Sequence, residues 1–582
     1  MSTVSAHVAL TLSTHVRHVF GVMGNGNAYF LDALLRQTDA SYTAMRHEAG
    51  AVMAADAHFR AGGGLAAATT TYGAGFTNTL TALAEAVQAH TPLVLVVGDE
   101  PTSGPRPWDV DQIAMAAAVG ARTYTVGRTD AAATVAIAVE HALTYALPVV
   151  LAIPYDVVRA EAGEVPAAAA PITPAPVAPA GAFTLAGIEE VAGVLAGAER
   201  PFLLAGRGAH LAGAAPALGE LADLTGALTA STALGRGLFP DTRYDLGVTG
   251  GFGAPGATEL IRQADVAVVF GASLNQFTMR FGQLFTPGTR IIQVDVAPTA
   301  THAQVGTYLR GDARLVAEAL VERVRAARAA TGETAGAVAS DAAGEAGAAV
   351  EHAASGTAGP SGTHPWRESV DIEAAQEQEQ GEELAPDGLL DPRAAAARLA
   401  QLLPQDRVVV SDGGHFLGWA NMYWPVAEPE RMLMVGTAYQ TIGTGFPSMP
   451  GAAAARPEST VVLTTGDGGG LMSSADLESA VRACGGRGLA VVWNDAAYGA
   501  EVNLYGVLGL ERSPMLIPDV SFAALADAAG GRGVVVRRLA DLDVLSEWVA
   551  TDPAEREFLL LDLRISGDVI APYQHEIIEL NR

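Results

Sequence analysis

The chain has 582 residues, 49% of them hydrophobic and 17% charged, which is enough apolar material for about three domains at roughly 100–200 residues each. Its formal net charge of -28 repels nucleic acid and anionic membrane surfaces and argues against both as partners. Cys484 is the only cysteine, which excludes an internal disulfide framework and a cysteine-rich metal site.

Residues 1–22 carry scattered polar side chains rather than the basic start and apolar run of a secretion signal, and no apolar segment approaches the roughly 20 residues of a membrane helix. A cytoplasmic protein is expected. In a first block, 1–164, a helical pattern at 49–60 precedes a strand at 65–70, a second helical pattern at 77–88 and a strand at 93–97. An Ala/Pro-rich linker, 165–183, leads to a central block, 184–330, with strands at 201–205, 266–270 and 291–294. Residues 331–386 are rich in Ala, Gly, Ser and acidic side chains and end in QEQEQGEELAP. With few large apolar residues, this segment is expected to be a mobile linker or loosely draped. The last block, 387–582, has strands at 407–411, 461–465 and 490–493. Strand–helix alternation in every block predicts an α/β protein of three doubly wound parallel-sheet domains, with ligands at the carboxyl ends of the strands.

The strand at 461–465 runs into Gly466-Asp467-Gly468-Gly469-Gly470 and then LMSSADLESAVRA, where Ser473 or Ser474 is placed to cap a helix with Asp476 in its first turn. The next strand ends at Asn494-Asp495, 27 positions after Asp467. Glycines at 466, 468 and 469 let the backbone approach a diphosphate, and a helix N-terminus offers free N–H groups to an anion. Magnesium takes hard oxygen ligands, which the Asp467 carboxylate and the Asn494 amide supply from neighbouring strand ends. Taken singly, GDGGG is a tight turn. The whole unit resembles the thiamine diphosphate motif, which opens with GDG and closes with Asn-Asn, here Asn-Asp. The resemblance implies thiamine diphosphate and Mg2+ as cofactors, with Asp467, Asn494 and the backbone carbonyl of Ala496 as metal ligands.

The segment TAMRHEAGAVMAADAHFRAGG resembles the RHE-x-x-A-x-x-M-A-x-x-Y-A-R stretch of the acetolactate synthase, pyruvate oxidase and pyruvate decarboxylase superfamily, and the likeness is closest to acetolactate synthase-like proteins. It continues through TTTYGAGFTNTLTALAEAVQAHTPLVLVVGD, where Gly73-Ala74-Gly75 stands in place of Gly-Pro-Gly. Alone, Glu48 reads as a favourable start to a helix. The resemblance makes it the catalytic acid that hydrogen-bonds the cofactor's pyrimidine nitrogen, so that the exocyclic amine can deprotonate the reactive carbon. VGTAYQTIGTGFPSMPGAAAARPE resembles the stretch that places a bulky wedge, here Ile442, between the two cofactor rings; as a bare residue Ile442 is equally core. His415, in SDGGHFLGW, falls near the expected diphosphate site, and His47 and His90 are further pocket candidates. Trp419 and Tyr498 suit the pocket or the core.

The same likeness implies pyrimidine-binding, central and diphosphate-binding domains in that order, and sites shared between the first domain of one subunit and the third of another, hence a homodimer or homotetramer. The central block holds FAD in some members, but the Arg-Phe-Asp-Asp-Arg run of many flavin-binding synthases is replaced by Asn275–Arg280, and flavin is not favoured. Decarboxylase relatives use an early Asp, a His pair and a Glu seven residues past the metal-binding Asn. Here Asn25 replaces the Asp, Asp111-Gln112 stands without a His pair, and only Glu501 is in place, to orient substrate or relay protons. Gln112 matches loosely a Gln that reaches the active site in acetolactate synthases. A carboligase joining a 2-oxo acid such as pyruvate to a carbonyl acceptor is therefore favoured. A lyase of a 2-hydroxyacyl-CoA or 2-hydroxy ketone, a simple 2-oxo acid decarboxylase and a catalytically silent cofactor-binding regulatory protein are the alternatives.

Overall fold

In a computed structural model, residues 2–167, 174–331 and 364–580 are described. Runs such as Leu93–Asp99 (LVLVVGD) and Pro148–Pro154 (PVVLAIP) are buried at every position, the signature of strands covered by helices on both faces.

The first sheet contains β1 (His18–Gly21), β2 (Ser41–Ala44), β3 (Ala67–Thr70), β4 (Leu93–Asp99), β5 (Arg122–Thr125) and β6 (Pro148–Pro154), all parallel, in the order β2-β1-β3-β4-β6-β5. The central sheet contains β7 (Pro201–Ala205), β8 (Leu228–Ser231), β9 (Asp245–Val248), β10 (Val266–Phe270), β11 (Arg290–Asp295) and β12 (Thr307–Arg310). Its order, β9-β8-β7-β10-β11-β12, is that of a Rossmann-type doubly wound sheet. The third sheet contains β13 (Arg407–Ser411), β14 (Met432–Met434), β15 (Thr460–Gly466), β16 (Gly488–Asn494), β17 (Arg532–Val536) and β18 (Leu559–Arg564), in the order β14-β13-β15-β16-β18-β17. The first and third sheets thus share one topology, a repeat that no short sequence period announces. The three doubly wound parallel sheets are the architecture expected from the sequence.

The first and third sheets with their helices form one compact unit, Met1–Ala175 with Glu379–Arg582, and the central sheet forms a second, Pro176–Gln378. In the first unit the helix Glu48–His58 (α1) crosses the helix Gly445–Ala455 so closely that a Cβ at Gly451 would stand 1.9 Å from the Ala54 carbonyl oxygen. Of the two expected linkers, residues 168–173 and 332–363 lie outside the described residues.

The end of the second linker departs from expectation. Trp366 is 5% exposed and joins the core of the central unit. Arg367 donates to the carbonyls of Ala222 and Ala227 and stacks over the Tyr244 ring at 4.1 Å. Gln376 donates to the Asp245 carbonyl. A single large indole and one planar cation are enough to anchor a stretch whose average composition is that of a loop.

Candidate active site

The third sheet reverses its strand order between β13 and β15, and ligands of such sheets sit at this switch point. β13 hands over to Asp412-Gly413-Gly414-His415, and β15 to Asp467. Register pairs Gly466 with Trp493, so Asp467 follows beside Asn494, the last residue of β16, at a strand spacing of about 5 Å.

Asp467 opens a short helix, Asp467–Met472, with no turn between it and the strand. This helix, which the sequence reading did not expect, breaks at Ser473; Ser473 then holds the expected cap position, without a side-chain capping bond, for a 3-10 turn, Ser474–Asp476, that runs on into the helix Leu477–Cys484. The glycines permit the early start. A Cβ at Gly468 would lie 2.7 Å from the Tyr498 ring, and one at Gly469 2.9 Å from the Asp412 carboxylate. Asp476 is turned to other use, accepting the Ser479 hydroxyl at 2.8 Å and the Arg46 N–H of the first domain at 2.9 Å.

Asp467 is 3% exposed. Its Oδ1 accepts the Gly468 N–H, while its buried Oδ2 has no hydrogen-bond partner among the described residues. Burial, and then the charge of Asp495, pushes the carboxyl up to about 7. The Asn494 amide is oriented by its neighbours. Its Nδ2 donates to the buried carboxylate of Asp562 at 2.9 Å and to the Val520 carbonyl at 3.3 Å, so its Oδ1 is turned to the Ala496 N–H at 3.3 Å. Ala496 has φ +55°, a left-handed conformation that costs a non-glycine residue roughly 1–2 kcal/mol. Its carbonyl accepts the Ile517 N–H at 2.8 Å and keeps a second lone pair. One carboxylate, one amide oxygen and one carbonyl form a donor set suited to a hard octahedral cation that also binds phosphate oxygens.

His415 closes the other side of the switch point. Its Nε2 lies 3.0 Å from Asp495 Oδ2. Burial works against its charge, but the carboxylates of Asp495, Asp467 and Glu501 outweigh it and hold the imidazole above its ordinary value. Asp412, fully buried, accepts the N–H and hydroxyl of Thr444 and the hydroxyl of Thr465. It thereby ties β13 and β15 to the start of the helix Gly445–Ala455. Ile442 precedes this helix, its Cγ2 3.3 Å from where a Gly413 Cβ would stand.

The first sheet has its switch point between β1 and β3, where loop 22–27 meets loop 71–73. Gly26 donates to the Thr71 hydroxyl and Asn25 to the Tyr72 hydroxyl, both at 2.9 Å. Gly73 has φ +62°, which favours glycine, and its N–H donates to Gln112 Oε1 at 2.8 Å. Gln112 Nε2 donates to the Gly98 carbonyl and Asp99, so this 3% exposed amide is committed to holding the loop. Glu48 begins α1, half-exposed. Its Oε2 accepts Asn78 Nδ2 at 3.0 Å, and its Oε1 is 3.5 Å from where a Gly75 Cβ would stand. Glu48, Gly73 and Gln112 therefore share one edge of the first domain, as Asp467, Asn494, Ala496, His415 and Ile442 share one edge of the third.

The other candidates take different places. His90 is exposed in the turn before β4, at the amino end of that strand, and does not join the Gly73 edge. His47 is exposed and caps α1 by accepting the Ala49 N–H. Glu501 is exposed on a short helix, Gly499–Leu504, beyond Ala496. Trp419 is core at 2% exposure, and Tyr498 packs on Gly468. Sequence reasoning missed Asp412, Asp495 and Asp562. The signal for Asp562 is an acid inside the apolar run LLLDLR; Asp412 and Asp495 adjoin residues already singled out.

Three family models match the chain. Residues 2–117 match the thiamine pyrophosphate enzyme N-terminal TPP binding domain, 188–350 the central domain, and 412–562 the C-terminal TPP binding domain. Similar proteins include a probable acetolactate synthase large subunit of Methanocaldococcus jannaschii, 26% identical over 79% of this chain and 75% of that one. A sulfoacetaldehyde acetyltransferase of Roseovarius nubinhibens is 26% identical over 100% of this chain and 94% of its own. Acetolactate synthase isozyme 3 large subunit of Escherichia coli is 25% identical over 95% and 92%.

Proposed function

Because the chain belongs to the thiamine pyrophosphate enzymes, which make or break carbon–carbon bonds, we propose that it is a magnesium-dependent carboligase joining a 2-oxo acid such as pyruvate to a carbonyl acceptor. The observation that carries the cofactor assignment is the adjacency of Asp467 and Asn494 at a topological switch point, with a buried carboxylate oxygen left for a cation. When bound, thiamine diphosphate supplies the carbon nucleophile that adds to the donor's carbonyl.

The protein's own groups have distinct tasks in this reading. Asp467, Asn494 and the Ala496 carbonyl hold magnesium, and Gly466, Gly468 and Gly469 let the backbone close on the diphosphate. His415, whose charged form is favoured by Asp495 at 3.0 Å, would present its imidazole to that anion. Ile442 would pack between the two rings of the cofactor and so bring its amine near the reactive carbon, a proximity effect. Glu48 keeps a proton on the pyrimidine nitrogen, and Gln112 acts by fixing Gly73 rather than by touching the reacting atoms. Glu48 is half-exposed on its own chain, in keeping with a homodimer or homotetramer in which a second copy completes each site. Glu501, on an exposed helix, orients substrate or relays protons.

Carboligation is favoured over simple decarboxylation by the first-domain loops. The loops at 22–27, 71–73 and 100–111 carry Asn25, Tyr72, Arg106 and Trp108 but no histidine, His47 being taken up in capping α1, and Asn25 is bonded to the Tyr72 hydroxyl. With no imidazole there to protonate the carbon nucleophile near neutral pH, a carbonyl acceptor competes well with a proton. A second reading, cleavage of a 2-hydroxy ketone or 2-hydroxyacyl-CoA, is favoured by the full-length likeness to a sulfoacetaldehyde acetyltransferase.

The test is a product screen by mass detection, with magnesium and thiamine diphosphate present and a panel of 2-oxo acids supplied with and without aldehydes. Carbon dioxide with a new 2-hydroxy ketone supports the carboligase. Aldehyde without carbon dioxide from a hydroxy ketone supports the lyase.

A further inference from the structure

Glu85 belongs to the first domain, in the helix Leu80–Gln88, but its carboxylate serves the third. Oε2 accepts the Tyr439 N–H at 2.7 Å and Oε1 the Ala438 N–H at 3.4 Å. Oε1 also receives Arg60 Nη2 at 3.0 Å. Arg60 pairs with Asp56 at 2.7 Å and donates Nη1 to the Met434 carbonyl at 2.8 Å. Met434 ends β14, and Ala438 and Tyr439 lie in the loop that follows. Two charged side chains of the first domain therefore grip this loop at its root and at its middle.

The side chains of Arg60, Asp56 and Glu85 are only 6%, 5% and 4% exposed. Burying three charges adds little net stability even when they are well paired, but it fixes geometry, because any displacement strands a charge. The gripped loop needs such fixing. Gln440, directly after Tyr439, has φ +58°, and Gly443 has φ +78°. Between them stands Ile442. The loop ends against the diphosphate segment, where a Cβ at Gly443 would lie 3.1 Å from the Gly469 carbonyl oxygen.

We propose that Arg60 and Glu85 are positioning residues of the active site, setting the place of the 435–443 loop and with it the Ile442 wedge against the diphosphate segment. This rests on the reading of Ile442 given above. α1 begins at Glu48, and Arg60 lies just beyond its end at His58, so the element that presents the catalytic acid to one site also carries the loop clamp of the neighbouring site.

The experiment compares wild type, Glu85→Gln and Ile442→Ala as full-length proteins. Amide hydrogen exchange of residues 435–443 is measured without cofactor. Thiamine diphosphate affinity with magnesium is measured by calorimetry, and the near-ultraviolet circular dichroism of the bound cofactor at saturation. In Glu85→Gln the loop exchanges about tenfold faster while β15 and β16 are unchanged, cofactor affinity falls about tenfold, and the dichroic signature weakens even at saturation. Arg60→Lys, which shortens the reach to Met434, serves in its place if Glu85→Gln does not fold. Unchanged loop exchange overturns the proposal. Faster exchange with wild-type affinity and signature also overturns it; if Ile442→Ala is then impaired, the wedge reading survives alone. Wild-type binding by Ile442→Ala defeats the wedge reading and the proposal together.

Discussion

Asp495 Oδ2 lies 3.0 Å from His415 Nε2, so the residue after the candidate metal-binding Asn494 is an ion-pair partner for the loop on the far side of the switch point. The pairing gives a use to the Asn-Asp that replaces the Asn-Asn of related motifs. In Asp495→Asn the imidazole keeps its burial and loses its main counter-charge, so its pKa falls. Imidazole NMR titration of the cofactor-free protein reads this directly, and an unmoved His415 resonance would refute the pairing.

Glu48→Gln retains a side chain of the same shape without a transferable proton. Turnover should drop by about 10²–10⁴-fold, while calorimetric binding of thiamine diphosphate changes little. Wild-type turnover in this variant would remove Glu48 from the mechanism.

Asp467→Asn separates function from stability. Among the described residues the buried Oδ2 has no hydrogen-bond partner, and burying it opposes folding of the cation-free protein. Replacement by the amide should stabilise that form by about 1–3 kcal/mol while abolishing magnesium-dependent cofactor binding. Denaturant unfolding and calorimetry check the two halves; retained magnesium dependence would contradict the ligand assignment.

His58 governs an acid limb. Burial, followed by the neighbouring His18, lowers its pKa from 6.5 to about 4. The unfolded chain therefore binds the proton more readily, and stability present above pH 6.5 is lost as pH falls toward 4. The difference corresponds to about 3 kcal/mol. His58→Phe should flatten unfolding free energy against pH in that window, and an equally steep profile would assign the acid sensitivity elsewhere.

Gly451→Ala tests the crossing of the helices Glu48–His58 and Gly445–Ala455. Its Cβ would meet the Ala54 carbonyl oxygen at 1.9 Å, a backbone contact that cannot rotate away. Overpacking of this kind should cost about 1–3 kcal/mol and depress the thermal midpoint. An unaffected midpoint would mean that the helices separate freely.

The sheets were legible in the sequence because buried parallel strands are short continuous apolar runs, and those at 201–205, 266–270 and 407–411 stand at the expected positions. The glycines around Asp467 and the strand-end Asn494 were legible for the same local reason: strand, turn and spacing are properties of neighbouring residues. The helix start at Asp467 was not legible because the space under Tyr498 and beside Asp412 decides it, and both are distant in the chain. Trp366 went unrecognised because one anchor is invisible in a composition average.

The sequence by itself determined the three parallel-sheet domains and the residue types that make a diphosphate and cation site. Only the tertiary structure decided that Gln112 is spent on Gly73, that His415 is paired with Asp495, and that Glu85 reaches from one domain into a loop of another. The reason is physical: patterning and turn chemistry act over a few residues. Hydrogen bonds and ion pairs between sheets depend on register and helix crossing, which exist only once the chain has folded.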